Sequence, residues 1–362
     1  MNTTPFIQYH QTLGAKIVPF AGYQMPISYT SINDEHLCVR QKAGIFDVSH
    51  MGEFIVRGAG ALDLIQRVTS NDASKLSPGK VQYSCMPNAQ GGIIDDLLVY
   101  CLPDNSYMLV VNAANIEKDF AHISEQNRSI GAELLDISAR TALLAIQGPL
   151  ASQALQTLTD IPLADMTYYT CAKGTFAGVP NVLVSETGYT GAGGFEVYFY
   201  NEHADTIWQA IMEAGKAVGL QPIGLAARDT LRLEKGFCLY GNDIDDTTSP
   251  FEAGLGWITR LNKNADFVGK NALIAQKTAG IERKLVGFVI EDKAIARHGY
   301  DLTTLDGQSV IGQVTSGTFS PSLQQSIGMG YVAAAYATEG TMIGVQIRQR
   351  NIKAKVVKLP FL

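Results

Sequence analysis

Residues 81–101, VQYSCMPNAQGGIIDDLLVYC, place two carboxylates, Asp95 and Asp96, inside a strand-like run. Both flanking runs alternate with period two, and Pro87, Asn88, Gly91 and Gly92 between them supply turn chemistry, so the stretch is expected to fold as a hairpin. Successive strand side chains point to opposite faces, which separates the pair: Asp96 shares a face with Leu98 and Tyr100, and Asp95 lies on the other. Centring the hairpin on Ala89-Gln90 puts Tyr83 across from Asp96, giving a carboxylate beside two phenols. An edge strand with one wet face explains a mid-strand Asp equally well, and a one-residue slip would remove Tyr83 from that face.

A second carboxylate of this kind is Glu196, which alternation places with Tyr198 and Tyr200 and opposite Phe195, Val197 and Phe199, with Tyr189 nearby in the chain. Between residues 187 and 194 lies TGYTGAGG, which matches neither nucleotide-binding glycine pattern and is expected to be a tight hairpin that lets the backbone approach a neighbour. Arg228 and Arg232 fall four apart on an expected helix, 223–235, and read as an exposed, ion-paired face. The acids at 243–246 lack the glycine and distal glutamate of a calcium loop. The six histidines have no metal-ligand spacing, so no metal site is expected, and no nucleophile elbow occurs. Carboxylates on aromatic-lined walls suit a planar heterocycle with an amidine-like edge, because a carboxylate accepts two parallel N–H bonds; a pterin, purine or guanidine fits.

The elements that must position these groups divide the chain. At 362 residues, two or three domains are expected. Helices are expected over 4–14, 31–43, 59–69, 151–159 and 204–219, with strands between them, whereas residues 18–29 lack clean periodicity and read as a domain junction. Past residue 283 short β-type runs separated by turns suggest a small all-β domain. No internal repeat stands out. With 17% charged residues, net charge −6 and no basic run, nucleic acid is not an expected partner, and no apolar run is long enough for a membrane span. Five scattered cysteines read as reduced core thiols of a cytoplasmic protein.

The strings VPFAGYQMPISY, GIFDVSHMGEF, QYSCMPNAQGGIIDDLLVY, GYTGAGGFEVY, GLAARDTLRLEKG and KAKVVKLPF, in this order, resemble the T-protein family of the glycine cleavage system over essentially the whole chain. Tyr23 stands where the family commonly has Trp. The resemblance implies an α+β fold, a three-domain cloverleaf with antiparallel sheets and a C-terminal small β-barrel or jelly-roll-like domain. The divisions expected are 1–50 with 138–270, an inserted 51–137 carrying the hairpin, and 283–362. It implies release of ammonia from an aminomethylated lipoyl carrier, the H-protein, and transfer of the one-carbon unit to tetrahydrofolate. Carried over residue by residue, it makes Asp96 the catalytic carboxylate, assigns Tyr83, Leu98, Tyr100, Asn112, Tyr189 and Arg228 to the folate pocket, and makes Glu196 the pterin-edge carboxylate. A folate-dependent demethylase or a non-catalytic folate-binding protein would share this scaffold.

Overall fold

A computed structural model describes residues 1–292 and 294–362. By contacts the chain forms two compact units, Met1–Ser84 with Asp96–Arg228, and Cys85–Asp95 with Asp229–Leu362.

The first unit contains a six-stranded sheet ordered Cys171–Phe176, Val179–Ser185, Gly194–Tyr200, Thr141–Gln147, Gly44–Asp47, Gln221–Pro222, antiparallel except for its last pair. Phe195, Val197 and Phe199 turn one face of this sheet towards Ile207, Trp208 and Ile211 of the helix Ala204–Gly215. Each of these helix side chains, once buried, contributes about 1.5–3 kcal/mol. Glu196 and Tyr198 therefore face the other way. Gly194 holds a φ of 122°, and a Cβ there would overlap the Ile146 carbonyl oxygen, as one at Gly188 would overlap the Gln147 side chain. These are the backbone approaches expected of the glycine-rich connection.

A second, antiparallel sheet runs Val81–Pro87, Ile93–Cys101, Tyr107–Val111, Gly52–Arg57, Glu133–Asp136. Its Phe54 is covered by Phe120 of the helix Ile116–Asn127, 5.3 Å between ring centroids. On its opposite face Leu98 pairs with Val110 and Val110 with Glu53, a row across three strands. Directly paired residues point to the same side, so Asp96, Leu98, Tyr100 and Glu53 share one face.

The first unit carries a structural repeat that the sequence hides. Gly58 and Gly148, Gly79 and Tyr169, and Lys80 and Thr170 are equivalent positions, each pair ninety residues apart. Helices at Ala61–Val68 and Ala151–Leu155 and 3-10 turns at Ala73–Lys75 and Leu163–Asp165 follow the same offset. The copies bond reciprocally: Val81 N–H donates to Tyr169 O at 2.9 Å and Cys171 N–H to Gly79 O at 2.8 Å. Gly58/Gly148, Ala61/Ala151, Gln66/Gln156 and Thr69/Thr159 keep the same residue, but such scattered identities do not mark a repeat in the sequence.

The second unit contains a closed antiparallel barrel of Arg283–Ile290, Gln325–Ala333, Val310–Ser320, Asp301–Thr303, Met342–Ile347 and Arg350–Val357 around Phe288, Leu302, Val332 and Ile343. The all-β C-terminal domain expected from 283 onward is present. Residues 18–29, by contrast, are not irregular: Lys16–Phe20 and Tyr23–Ser28 pair as strands. Pro19 and Pro26 remove ladder donors and break the alternation that marks a strand in sequence. The expected helices are present but shorter, as Ile7–Thr12, Ile32–Gln41, Ala61–Val68, Ala151–Leu155, Ala204–Gly215 and Leu225–Glu234. All five cysteines are free and buried. Among the described residues no helix is long and apolar enough to cross a membrane.

Candidate active site

The hairpin brings Tyr83 to Asp96, Tyr83 OH donating to Asp96 Oδ2 at 2.8 Å, although Asn88 N–H donates to Gly92 O and so centres the turn on Gln90 rather than between Ala89 and Gln90. Asn112, at the end of the neighbouring strand, donates from Nδ2 to Asp96 Oδ1 at 2.9 Å and to the Asp96 carbonyl at 3.1 Å. The half-buried carboxylate is thus oriented by one donor on each oxygen. Tyr100 shares the face but does not reach Asp96. Its fully buried hydroxyl meets Thr187 Oγ1 at 3.2 Å and Tyr198 OH at 2.9 Å, so the second phenol serves the other sheet. Leu98, half-buried, lies between Asp96 and Tyr100.

Glu196 is 7% exposed and accepts from Thr187 Oγ1 at 2.5 Å and from Tyr198 OH at 3.3 Å, both at Oε2. Since Tyr198 donates to Glu196, it accepts from Tyr100, and a chain of hydroxyls ties the Asp96 face to the Glu196 carboxylate. Burial first, and then the Glu196 charge, hold the Tyr100 and Tyr198 phenols well above their ordinary range, so both stay protonated as donors. Arg228 places its guanidinium 4.7 Å from the centroid of the Tyr189 ring, while its Nη1 is buried without a hydrogen-bond partner. Burial lowers the Arg228 pKa and the Glu196 charge opposes that shift. Glu196, Tyr189 and Arg228 are therefore brought together; Arg232, expected on the same exposed face as Arg228, is instead 1% exposed and ion-paired to Asp243 at 2.6 Å. Helical spacing fixes which side of a helix a residue occupies, not whether that side meets solvent.

Two groups were not singled out in the sequence. His50 is 4% exposed, its Nδ1 has no partner, and burial aided by the Arg228 charge pushes its pKa down to about 4, which makes it neutral at pH 7. Glu53 is fully buried with neither carboxylate oxygen hydrogen-bonded; burial first, then the Asp136 and Glu196 charges, raise it well above the carboxylate range, so it is held as a neutral acid. Buried polar groups are nearly always paired, which makes three unpaired ones, on His50, Glu53 and Arg228, a mark of a site rather than of a core. The signal for Glu53 is parity: it alternates with Phe54 and Val56 in a run whose other face is apolar. Among the described residues no cluster of three or more His, Cys, Asp or Glu could hold a metal ion. The arrangement suits a flat heterocycle: an anionic acceptor for its N–H edge, a cation stacked on a tyrosine, neutral donors behind, and a separately oriented carboxylate at Asp96.

The sequence matches the GCVT N-terminal domain over residues 6–263 and the glycine cleavage T-protein C-terminal barrel domain over 283–362. It is 57% identical to an aminomethyltransferase of Flavobacterium psychrophilum and 58% identical to one of Bacteroides fragilis, each over 100% of this chain and 99% of the relative. The crystal structure of the glycine cleavage system aminomethyltransferase T from Bartonella henselae superposes with a TM-score of 0.92 at 34% identity, covering 100% of this chain and 98% of that one.

Proposed function

This chain belongs to the T-protein family of the glycine cleavage system, and from that premise we propose how its residues carry out the family's reaction. It is a tetrahydrofolate-dependent aminomethyltransferase: it releases ammonia from the aminomethyl group on a lipoyl arm and delivers the one-carbon unit to tetrahydrofolate as 5,10-methylenetetrahydrofolate. The carbon loses its bonds to nitrogen and sulfur and gains bonds to N5 and N10. Of the two folate N–H protons displaced, one restores the lipoyl thiol and the other leaves with ammonia as ammonium. Tetrahydrofolate supplies the two nucleophilic nitrogens.

Glu196 accepts the pterin N–H edge, with Arg228 and Tyr189 beside it; the buried, unpaired Nη1 of Arg228 supports this assignment, because a bound heterocycle offers it an acceptor. Asp96 orients the N5/N10 edge, favours the cationic charge that develops there, and is placed to accept a proton. Tyr83 and Asn112 hold that carboxylate in one orientation, and positioning of this kind supplies several kcal/mol of a barrier. Leu98 and Tyr100 complete the wall between Asp96 and Glu196. We read the chain as three domains, 1–50 with 138–270, 51–137 and 283–362, working in the cytoplasm with a lipoylated H-protein as partner.

The observation that carries this reading is the presence of two differently supported carboxylates, Asp96 held by Tyr83 and Asn112 and Glu196 held by Thr187 and Tyr198. Mixing the protein with aminomethylated lipoyl carrier and tetrahydrofolate should give ammonia and methylenetetrahydrofolate in equal amounts. Ammonia without the folate product would contradict it.

A further inference from the structure

His50 stands in the turn between the strands Gly44–Asp47 and Gly52–Arg57, 4% exposed, with no partner at Nδ1. A buried imidazole nitrogen left open costs stability, which points to a guest that the free protein lacks. Two rings wall the imidazole. Phe20 packs edge-on against it, 5.5 Å between centroids at 86°, and Tyr23 lies tilted to it at 6.3 Å. Both belong to the tip of the hairpin of Lys16–Phe20 and Tyr23–Ser28, where they pair across a two-residue turn of Ala21, φ 46°, and Gly22, φ 83°. Positive φ at both turn residues matches the twist of the strands, so the tip is a stiff support. The N-terminal strand Asn2–Thr3 pairs with Tyr23 and Gln24 and holds it in place. Phe20 is 39% exposed, which leaves part of its ring open to a ligand.

This chemistry suits a small amine or ammonium. A neutral imidazole with its proton on Nε2 presents Nδ1 as an acceptor, and aromatic faces attract cations. Since His50 is uncharged at pH 7, it does not repel a cation. The fixed charges agree: Asp47 acts on His50 more strongly than the Arg228 guanidinium does, and with the opposite sign, so the local field favours a positive guest. The turn also lies towards the reacting end of the site. Gly52, two residues after His50, pairs with Val111, the neighbour of the Asn112 that orients Asp96. Glu196 and Asp96 serve folate nitrogens, which leaves the departing amine of the one-carbon unit in need of an acceptor.

We propose that His50 Nδ1, walled by Phe20 and Tyr23, accepts an N–H bond from the amino group of the aminomethyl unit and holds the ammonia released from it. This rests on the function proposed above. The C–N bond breaks with its electron pair going to nitrogen, so an ammonium leaves as neutral ammonia and no proton passes to His50. The test is the reverse reaction, in which ammonia, methylenetetrahydrofolate and the reduced lipoyl carrier give the aminomethylated carrier and tetrahydrofolate. His50→Phe keeps a ring and removes the acceptor. It should raise the KM for ammonia about ten- to a hundredfold, the worth of one hydrogen bond to a charged group, and leave the KM for methylenetetrahydrofolate and for the reduced carrier unchanged. His50→Asn, whose amide oxygen can stand near the place of Nδ1, should recover most of that loss. Phe20→Leu, at the exposed ring, should raise the KM for ammonia about two- to fivefold, and it decides alone if His50→Phe does not fold. An unchanged KM for ammonia, an equal rise in all three KM values, or a loss that His50→Asn does not recover would each overturn the proposal. A wild-type protein that forms no aminomethylated carrier would instead overturn the function on which it rests.

Discussion

Two buried polar clusters, one in each unit, are built on opposite plans. In the second unit Arg232 and Asp243 are each 1% exposed and completely partnered. The guanidinium donates to Asp243 Oδ2 at 2.6 Å, Phe237 O at 2.9 Å, Ser316 Oγ at 2.8 Å and Asp229 Oδ1 at 2.8 Å. Asp243 also accepts from Thr315 Oγ1, Ser316 Oγ and Leu239 N–H. In the first unit His50, Glu53 and Arg228 hold buried polar atoms with no partner. Arg228 and Arg232 stand four residues apart on one helix, so neither residue type nor helix position explains the difference. A satisfied network fixes one arrangement of the chain. An unsatisfied one raises the energy of the free protein and leaves hydrogen-bonding capacity for a ligand.

That contrast can be broken at three points. The largest effect is expected in the satisfied cluster: Asp243→Ala leaves Arg232 buried without its counter-charge and should cost about 3–5 kcal/mol of stability, while the folded fraction keeps its tetrahydrofolate affinity. Urea unfolding and ligand titration of the same preparation check this, and a folate-binding defect with normal stability would reverse the roles assigned to the two clusters. In the first unit, beside the unpaired Arg228, Glu196→Gln sets a donor against a pterin donor and should weaken tetrahydrofolate about ten- to a hundredfold, with little change in Tm. Equal affinity in that variant would remove Glu196 from the site.

The third effect belongs to Glu53 and appears only as a pH dependence. Its folded pKa lies above the ordinary value near 4.5, so above that pH the folded state holds a proton that the unfolded chain has released. Stability contributed by the neutral acid is therefore lost as pH rises towards the folded pKa, by at most about 1.4 kcal/mol per pH unit. Glu53→Gln removes the titration, and the variant should gain on the wild type between pH 5 and pH 8. Parallel stability curves would mean that Glu53 is ionised and paired.

The same contrast explains what could be read from the sequence. The Asp96–Tyr83 contact was legible because both residues lie in one hairpin, and the grouping of Glu196 with Tyr198 because both lie in one strand. Both are local. The destination of Tyr100 was not legible, because its partners Tyr198, on a strand of another sheet, and Thr187, in the connection leading to that strand, are 87 or more residues away. Glu53 was passed over because a polar residue on one face of a strand normally meets water, and His50 because a polar residue in the turn between Gly44–Asp47 and Gly52–Arg57 normally does too; only the packing of other elements shows that both are closed off. Arg232 failed for the same reason from the other side, and the strands at 16–28 were hidden by their prolines.

The central claim is that the first unit divides its work between a binding carboxylate, Glu196, and a reacting one, Asp96. The most direct test is tetrahydrofolate affinity and turnover measured together on Asp96→Asn. Retained affinity with turnover reduced about 10²–10⁴-fold is the predicted result; turnover like that of the wild type, or a loss explained wholly by weaker folate binding, would contradict it.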